Sequence, residues 1–193
     1  NANPWNAMGE VEKRIRLTAF PNRVFNITSD YQAISGSDIS DILRRAISDC
    51  HRAGGGRVVI PAGEYYSKAI HLLSNVNLHI EEGAIVKFST EPTDYAPQVP
   101  TRWEGIDCMG MSPLIYAYRQ ENIAVTGKGI LDGQASWENW WKLRARTSAE
   151  DKAIGKFMGK EKLHDFEKHV TSIADRIFTE KDELRPQFIQ FYQ

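Results

Sequence analysis

Between Thr101 and Gly105 three adjacent residues, Arg102, Trp103 and Glu104, bring a cation, an aromatic ring and a carboxylate together. A guanidinium can hold a carboxylate through two parallel hydrogen bonds, and an indole face stacks on the apolar face of a sugar. The stretch reads as a polar loop bracketed by Pro97 and Pro100. The plainer reading is an Arg102 to Glu104 surface pair, worth at most about 1 kcal/mol to the fold. Trp137, Trp140 and Trp141 form the densest aromatic cluster. They suit a saccharide platform, but spacings of three and four on a short helix favour pinning that helix to the body of the fold.

Other combinations reduce to structure. Glu81 and Glu82 precede Gly83 in a turn, and neighbours on a strand point to opposite faces, so they make a poor acid pair. Asp132-Gly133 reads as a turn. Gly127-Lys128-Gly129 lacks the upstream glycine and the Ser or Thr of a nucleotide loop. Gly54-Gly55-Gly56 follows a helix and precedes a strand, the reverse of the order that aims a helix N-terminus at phosphate. Cys50 and Cys108 form no disulfide framework and have no paired spacing with histidine that suggests zinc. Cys50 reads as a buried free thiol. The sequon Asn26-Ile27-Thr28 falls in an expected strand.

The elements that must position these groups begin with one amphipathic helix. From Ser37 to Cys50 the apolar residues Ile39, Ile42, Leu43, Ala46, Ile47 and Cys50 step by three and one onto a single face. Ser37 or Asp38 can cap it, and the glycine run ends it. The texture then changes to short aliphatic runs, "RVVIPAG", "AIHLL", "VNLHIEEGAIVKF", "PLIYAY" and "NIAVTGKGILDG", broken by Gly, Asn, Pro or Ser. Asn75-Val76-Asn77-Leu78 with Gly83-Ala84-Ile85-Val86 is echoed, 47 positions on, by Asn122-Ile123-Ala124-Val125 with Gly129-Ile130-Leu131. That spacing suits two turns of a coil of about 23 or 24 residues, a solenoid's rhythm. A Greek-key sandwich would accommodate the same strand list. In a solenoid the helix would cap the first coil's edge.

The totals limit the partners. In 193 residues, 24 basic and 25 acidic side chains leave a net charge of -1, with no global field to attract nucleic acid or an anionic membrane. No apolar run approaches the roughly 20 residues of a membrane-spanning helix. The chain opens "NANPWNAMGE", without an initiator Met or an apolar leader core, as a processed or trimmed chain would.

Taken in order, "AGGGRVVIPAGEYYSKAIHLLSNVNLHIEEGAIVKFST", "TRWEG", "SPLIYA" and "ENIAVTGKGILDGQ" resemble the N-terminal coils of glycoside hydrolase family 28, the polygalacturonase-like pectin hydrolases. The likeness runs from about Phe25 to Trp141 and resumes at "LRPQFIQFYQ". It implies an all-β solenoid, a right-handed parallel β-helix with an N-terminal capping helix and a helical flank insertion. It further implies inverting hydrolysis of α-linked galacturonic acid polymers without a cofactor. Such chemistry needs an acid and a base roughly 6.5–9.5 Å apart. In the family these come from an Asn-Thr-Asp motif and an Asp-Asp pair, followed by Gly-His-Gly and Arg-Ile-Lys. This chain has neither acidic motif; none of His51, His71, His79, His164 and His169 lies between glycines, and Arg14-Ile15-Arg16 comes too early.

The resemblance therefore implies an N-terminal part whose catalytic coils lie downstream, inactive alone. Residues 1–36 would be an N-terminal segment, 37–142 the cap helix and first coils, 143–183 a helical insertion and 184–193 the start of another coil. Its last strand would lack a partner and invite self-association through the open C-terminal edge. Arg102, Trp103 and Glu104 would lie near the rim of a cleft, binding pectic polysaccharide or oligogalacturonate. The location expected is secreted, periplasmic or cell-surface. Two departures stand out. Gln32 replaces a family glycine in Asp30-Tyr31-Gln32-Ala33, and the segment from Leu143 to Asp182 aligns loosely, with Leu163, Phe166, Val170, Ile173 and Ile177 spaced as a helix. A non-catalytic β-helical saccharide-binding module is the alternative. A related lyase would need a cation and a base, and no acidic metal cluster is visible.

Overall fold

The computed structural model describes residues 3–141, 143, 159–169, 172–182 and 184–193. Short strands wind in parallel layers. A first sheet stacks β1 (Val24–Asn26), β2 (Gly56–Ile60), β5 (Val76–Ile80) and β10 (Ala124–Gly127). A second stacks β3 (Gly63–Ser67), β6 (Ala84–Phe88) and β11 (Ile130–Asp132), and a third stacks β4 (Ile70–His71), β9 (Ile115–Tyr118) and β12 (Ile189–Tyr192). Every pairing within these three sheets is parallel. Apolar side chains therefore align rung upon rung: Val58, Leu78 and Val125 in one stack, Tyr65, Val86 and Leu131 in the next, Ile70, Ile115 and Ile189 in the third. Each coil buries its inward groups only against its neighbours. Burial follows that rule, since Ile115 is fully buried whereas Ile189, on the last rung, is 43% exposed.

The front of the stack is closed as the periodicity predicts. A short helix α1 (Met8–Glu12) precedes, and the cap helix α2 (Ser40–Arg52) buries Leu43, Ala46, Ile47 and Cys50 against β1, β2, β4 and β5. The Asp38 carboxylate accepts the Ser40 amide at 2.8 Å, and the Gly55 amide donates to the Cys50 carbonyl at 2.9 Å to finish the last turn. Burial pushes the Cys50 thiol up to about 11, which keeps it protonated and inert.

The echo of 47 residues is one coil, not two. Leu78 pairs with Val58, 20 residues before it (58 to 78), and with Val125, 47 residues after it (78 to 125). The longer coil contains an outward excursion that the two-coil count ignores. Its asparagines do stack, with Asn122 Nδ2 donating to Asn75 Oδ1 at 2.9 Å, both residues at positive φ in the turn.

That excursion corrects the expected polar loop at Thr101 to Gly105. It is an antiparallel hairpin, β7 (Val99–Trp103) against β8 (Ile106–Gly110). Its two-residue turn is Glu104-Gly105, both at positive φ (44° and 90°). This is the geometry that matches strand twist in a two-residue hairpin, and Gly105 adopts it without steric cost.

Three further expectations change. The last strand, expected without a partner, pairs with β9 from Ile189↔Ile115 to Tyr192↔Tyr118. The sequon lies at a strand end and turn, with Asn26 Oδ1 accepting the Thr28 amide at 2.9 Å. The late helix α3 (Gly159–His169) is shorter than its apolar spacing implies. Val170 lies outside the described residues, and Ile173 and Ile177 fall in a single 3-10 turn and an isolated bridge to Met109. Helix α3 buries Leu163 with Ile106, Cys108, Phe178 and Leu184, so it reaches the solenoid through the hairpin. Among the described residues no helix is long and apolar enough to cross a membrane.

Candidate functional site

The hairpin lies across the outer face of the third sheet, held by polar side chains of β9, of β12 and of the segment entering β12. Tyr116 donates its hydroxyl to the Pro100 carbonyl, and Thr101 Oγ1 to Gln190 Oε1. Gln187 Nε2 and Gln190 Nε2 both donate to the Arg102 carbonyl, at 3.0 and 3.3 Å. Burial raises the Tyr116 phenol, which therefore stays a neutral donor. Tyr116, Tyr118 and Tyr192 form a stacked ladder on this face, with ring centroids 6.4 and 5.9 Å apart.

Where the hairpin tip, the turn after β11 and the segment before β12 meet, they enclose a cleft of about 500 Å³. Arg102, Trp103, Glu104, Trp140, Trp141 and Arg185 contribute to its wall, with Phe188 and Gly133. All three sequence-predicted site residues are thus brought together, and two of the three clustered tryptophans join them.

Each predicted residue has a defined partner. Arg102 Nε donates to the Gly105 carbonyl at 3.1 Å and lies 3.0 Å from Asp107 Oδ1. Asp107 Oδ1 is buried without an aligned hydrogen bond, so Arg102 offers it charge while its N–H points to the turn. The indole N–H of Trp103 donates to the Arg185 carbonyl at 3.1 Å, which orients the ring. Glu104 binds Lys160 Nζ at 2.7 Å, with His164 Nε2 at 3.8 Å. The Arg102 to Glu104 pair of the plainer reading is replaced by these separate pairs, because the turn sends the two side chains to different partners.

The tryptophans divide between the two readings. Trp140 is buried, donates to the Gly133 carbonyl at 3.1 Å and meets the Tyr95 ring edge-on at 5.8 Å, so it anchors the segment. Trp141 is 44% exposed and lines the cleft; Trp137 is edge-on to it at 5.7 Å, outside the lining. The segment carrying them is a series of turns, not a regular helix. Glu82 takes its expected turn place and faces Lys128 at 3.6 Å, whereas Asp132 is the last residue of β11 and accepts the Gln134 amide at 2.8 Å. Among the described residues no group of three or more His, Cys, Asp or Glu could hold a metal ion.

Sequence reasoning missed Arg185, Gln187 and Phe188 as site residues. Their signal was present in "LRPQFIQFYQ", where Arg185 and the glutamines interrupt an apolar strand, but its apolar residues drew the reading toward a strand alone.

The latch at Glu104 gives a direct test. Glu104→Asn keeps a residue suited to positive φ and removes the ion pair with Lys160. Global stability should change by no more than about 1 kcal/mol, as for exposed ion pairs. Amide exchange across Gly159–His169 should nevertheless quicken severalfold. Unchanged exchange there would mean that the apolar contacts of Leu163 alone hold the helix.

The chain is thus a parallel β-helix with a capped front and an aromatic, cationic cleft on its flank. No family model matches the sequence. The chain is similar to the crystal structure of a hyperthermoactive exopolygalacturonase from Thermotoga maritima, 34% identical, covering 97% of this chain and 42% of that one with a TM-score of 0.85. The family 28 exopolygalacturonase of Yersinia enterocolitica is 30% identical over 58% of this chain and 21% of its own, with a TM-score of 0.50. A curated exo-poly-alpha-D-galacturonosidase of Dickeya chrysanthemi is 29% identical over 142 residues, 69% of this chain and 22% of that protein. In fold and sequence the chain belongs with the glycoside hydrolase family 28 polygalacturonases, as a right-handed parallel β-helix spanning less than half the length of these relatives.

Proposed function

We propose that this chain is the N-terminal part of a pectin hydrolase that cleaves α-linked galacturonic acid polymers with inversion, releasing units from chain ends. The observation that carries this reading is the 34% identity and TM-score of 0.85 over nearly the whole chain to an exopolygalacturonase. In this reading Trp103 stacks beneath a sugar ring, Arg102 uses the guanidinium edge left free by Asp107 and Gly105 for a uronate carboxylate, and Glu104 holds the rim through Lys160. The acid and base lie in coils beyond these residues, which explains why the acidic motifs are missing here. The polymer's size calls for a secreted, periplasmic or cell-surface enzyme. The half-exposed Ile189 and Phe191 of the last rung support self-association of this chain when it stands alone.

The test is reducing-end release from polygalacturonate by these 193 residues and by the full product of the gene. The full product should hydrolyse the polymer, and the shorter chain should bind without cleaving it. Hydrolysis by the shorter chain would contradict the downstream placement of the chemistry. Binding without cleavage by both would favour the saccharide-binding module.

A further inference from the structure

We infer that Arg185 is a second carboxylate-recognising cation of the cleft, gripping a uronate carboxylate separately from Arg102. This deepens the proposed function and rests on its reading of the cleft as a uronic acid site. Three charged residues line it: Arg102, Glu104 and Arg185. Arg102 is engaged by Asp107 and the Gly105 carbonyl, and Glu104 is neutralised by Lys160. The Arg185 side chain lines the same cleft and has no hydrogen-bond or ion-pair partner among the described residues.

An arginine without a counter-charge beside apolar walls is a focused positive potential, and its planar fork matches a carboxylate bidentately. The surrounding wall decides the chemistry of the ligand. Trp103, Trp141 and Phe188 supply flat apolar surfaces, so the ligand needs an anionic group attached to a ring with an apolar face. A uronic acid has both. An inorganic anion would use the guanidinium alone and leave the rings unoccupied.

The backbone makes the position rigid. The Arg185 carbonyl accepts the Trp103 indole N–H at 3.1 Å, tying the cation's main chain to the aromatic ring across the cleft. The next residue is Pro186, whose ring fixes φ, and Gln187 then bonds the hairpin through the Arg102 carbonyl at 3.0 Å. Replacing the Arg185 side chain leaves all of these contacts in place, so the site can be tested without dismantling it.

The experiment compares binding of a short oligogalacturonide with that of its methyl ester, by calorimetry, to the 193-residue chain and its variants. The unaltered chain should prefer the free acid. Arg185→Gln should lose about tenfold in affinity for the acid, the size expected of a charge-assisted pair, and keep its affinity for the ester. Arg185→Lys, which keeps the charge but not the fork, should fall between. Trp141→Ala should weaken both ligands alike. Melting temperatures matching the parent establish that each variant is folded. If Arg185→Gln retains the full preference for the acid, the inference is overturned while the cleft reading stands. Failure of the unaltered chain to bind either ligand, or indifference of both ligands to Trp141→Ala, would overturn the cleft reading itself.

Discussion

Gly127→Val should destabilise the chain by about 4 kcal/mol or more, in the range reached only when backbone is forced apart. Gly127 closes β10 at φ 110°, and a Cβ there would stand 1.8 Å from the Ile80 carbonyl oxygen and 2.7 Å from its carbon. That carbonyl accepts the Lys128 and Gly129 amides at 3.0 and 3.1 Å, so it cannot move aside without breaking the turn between β10 and β11. Two rungs would lose register together. Gly36→Ala supplies the control: its φ is 88° but nothing lies within 4 Å, leaving only the left-handed backbone cost of roughly 1–2 kcal/mol. Urea denaturation of both variants measures the difference. Equal losses would show that conformation, and not the approach of β5 to β10, demands the glycine.

Phe88→Ala should cost about 3–5 kcal/mol, the usual penalty for deleting a fully buried aromatic ring. Phe88 ends β6 with no exposed surface and meets Phe188 edge-on, their centroids 5.8 Å apart. Its loss also removes the inner support of Phe188, which lines the cleft. The variant should therefore bind oligogalacturonide more weakly even at temperatures where it remains folded. Chemical denaturation gives the first number and titration of the folded variant the second. A stability loss below about 1 kcal/mol would mean that Phe188 collapses into the space, since the cost of a cavity depends on how far the site can relax.

The two variants probe the part of the fold that was most legible. Ile39 to Cys50 announces an amphipathic helix, and that helix covers the front of the stack. Short β-branched runs such as Arg57 to Ile60 announce strands, and the paired asparagines at 75 and 122 mark equivalent turns. The hairpin was much harder to read. Pro100 lies inside β7, Pro97 precedes it, and the turn is Glu104-Gly105 where Asn-Gly or Asp-Gly would have signalled it. Missing the hairpin made one long coil look like two. The late helix was overextended for a related reason, because Ile173 and Ile177 keep helical spacing while the backbone leaves the helix.

At the cleft, residue types pointed to Arg102, Trp103 and Glu104, but their partners could not be inferred. Asp107 is five positions from Arg102, whereas Lys160 is 56 positions from Glu104. The sequence by itself determined a cap helix and a set of short strands with their turns, since apolar spacing and turn residues act over a few neighbours and need no distant partner. Only the tertiary structure decided that the strands stack in parallel, which coil carries the hairpin, which of the clustered tryptophans line the cleft and which cleft arginine has no counter-charge among the described residues. Those outcomes depend on contacts between segments far apart in the chain, where local spacing holds no record of distance.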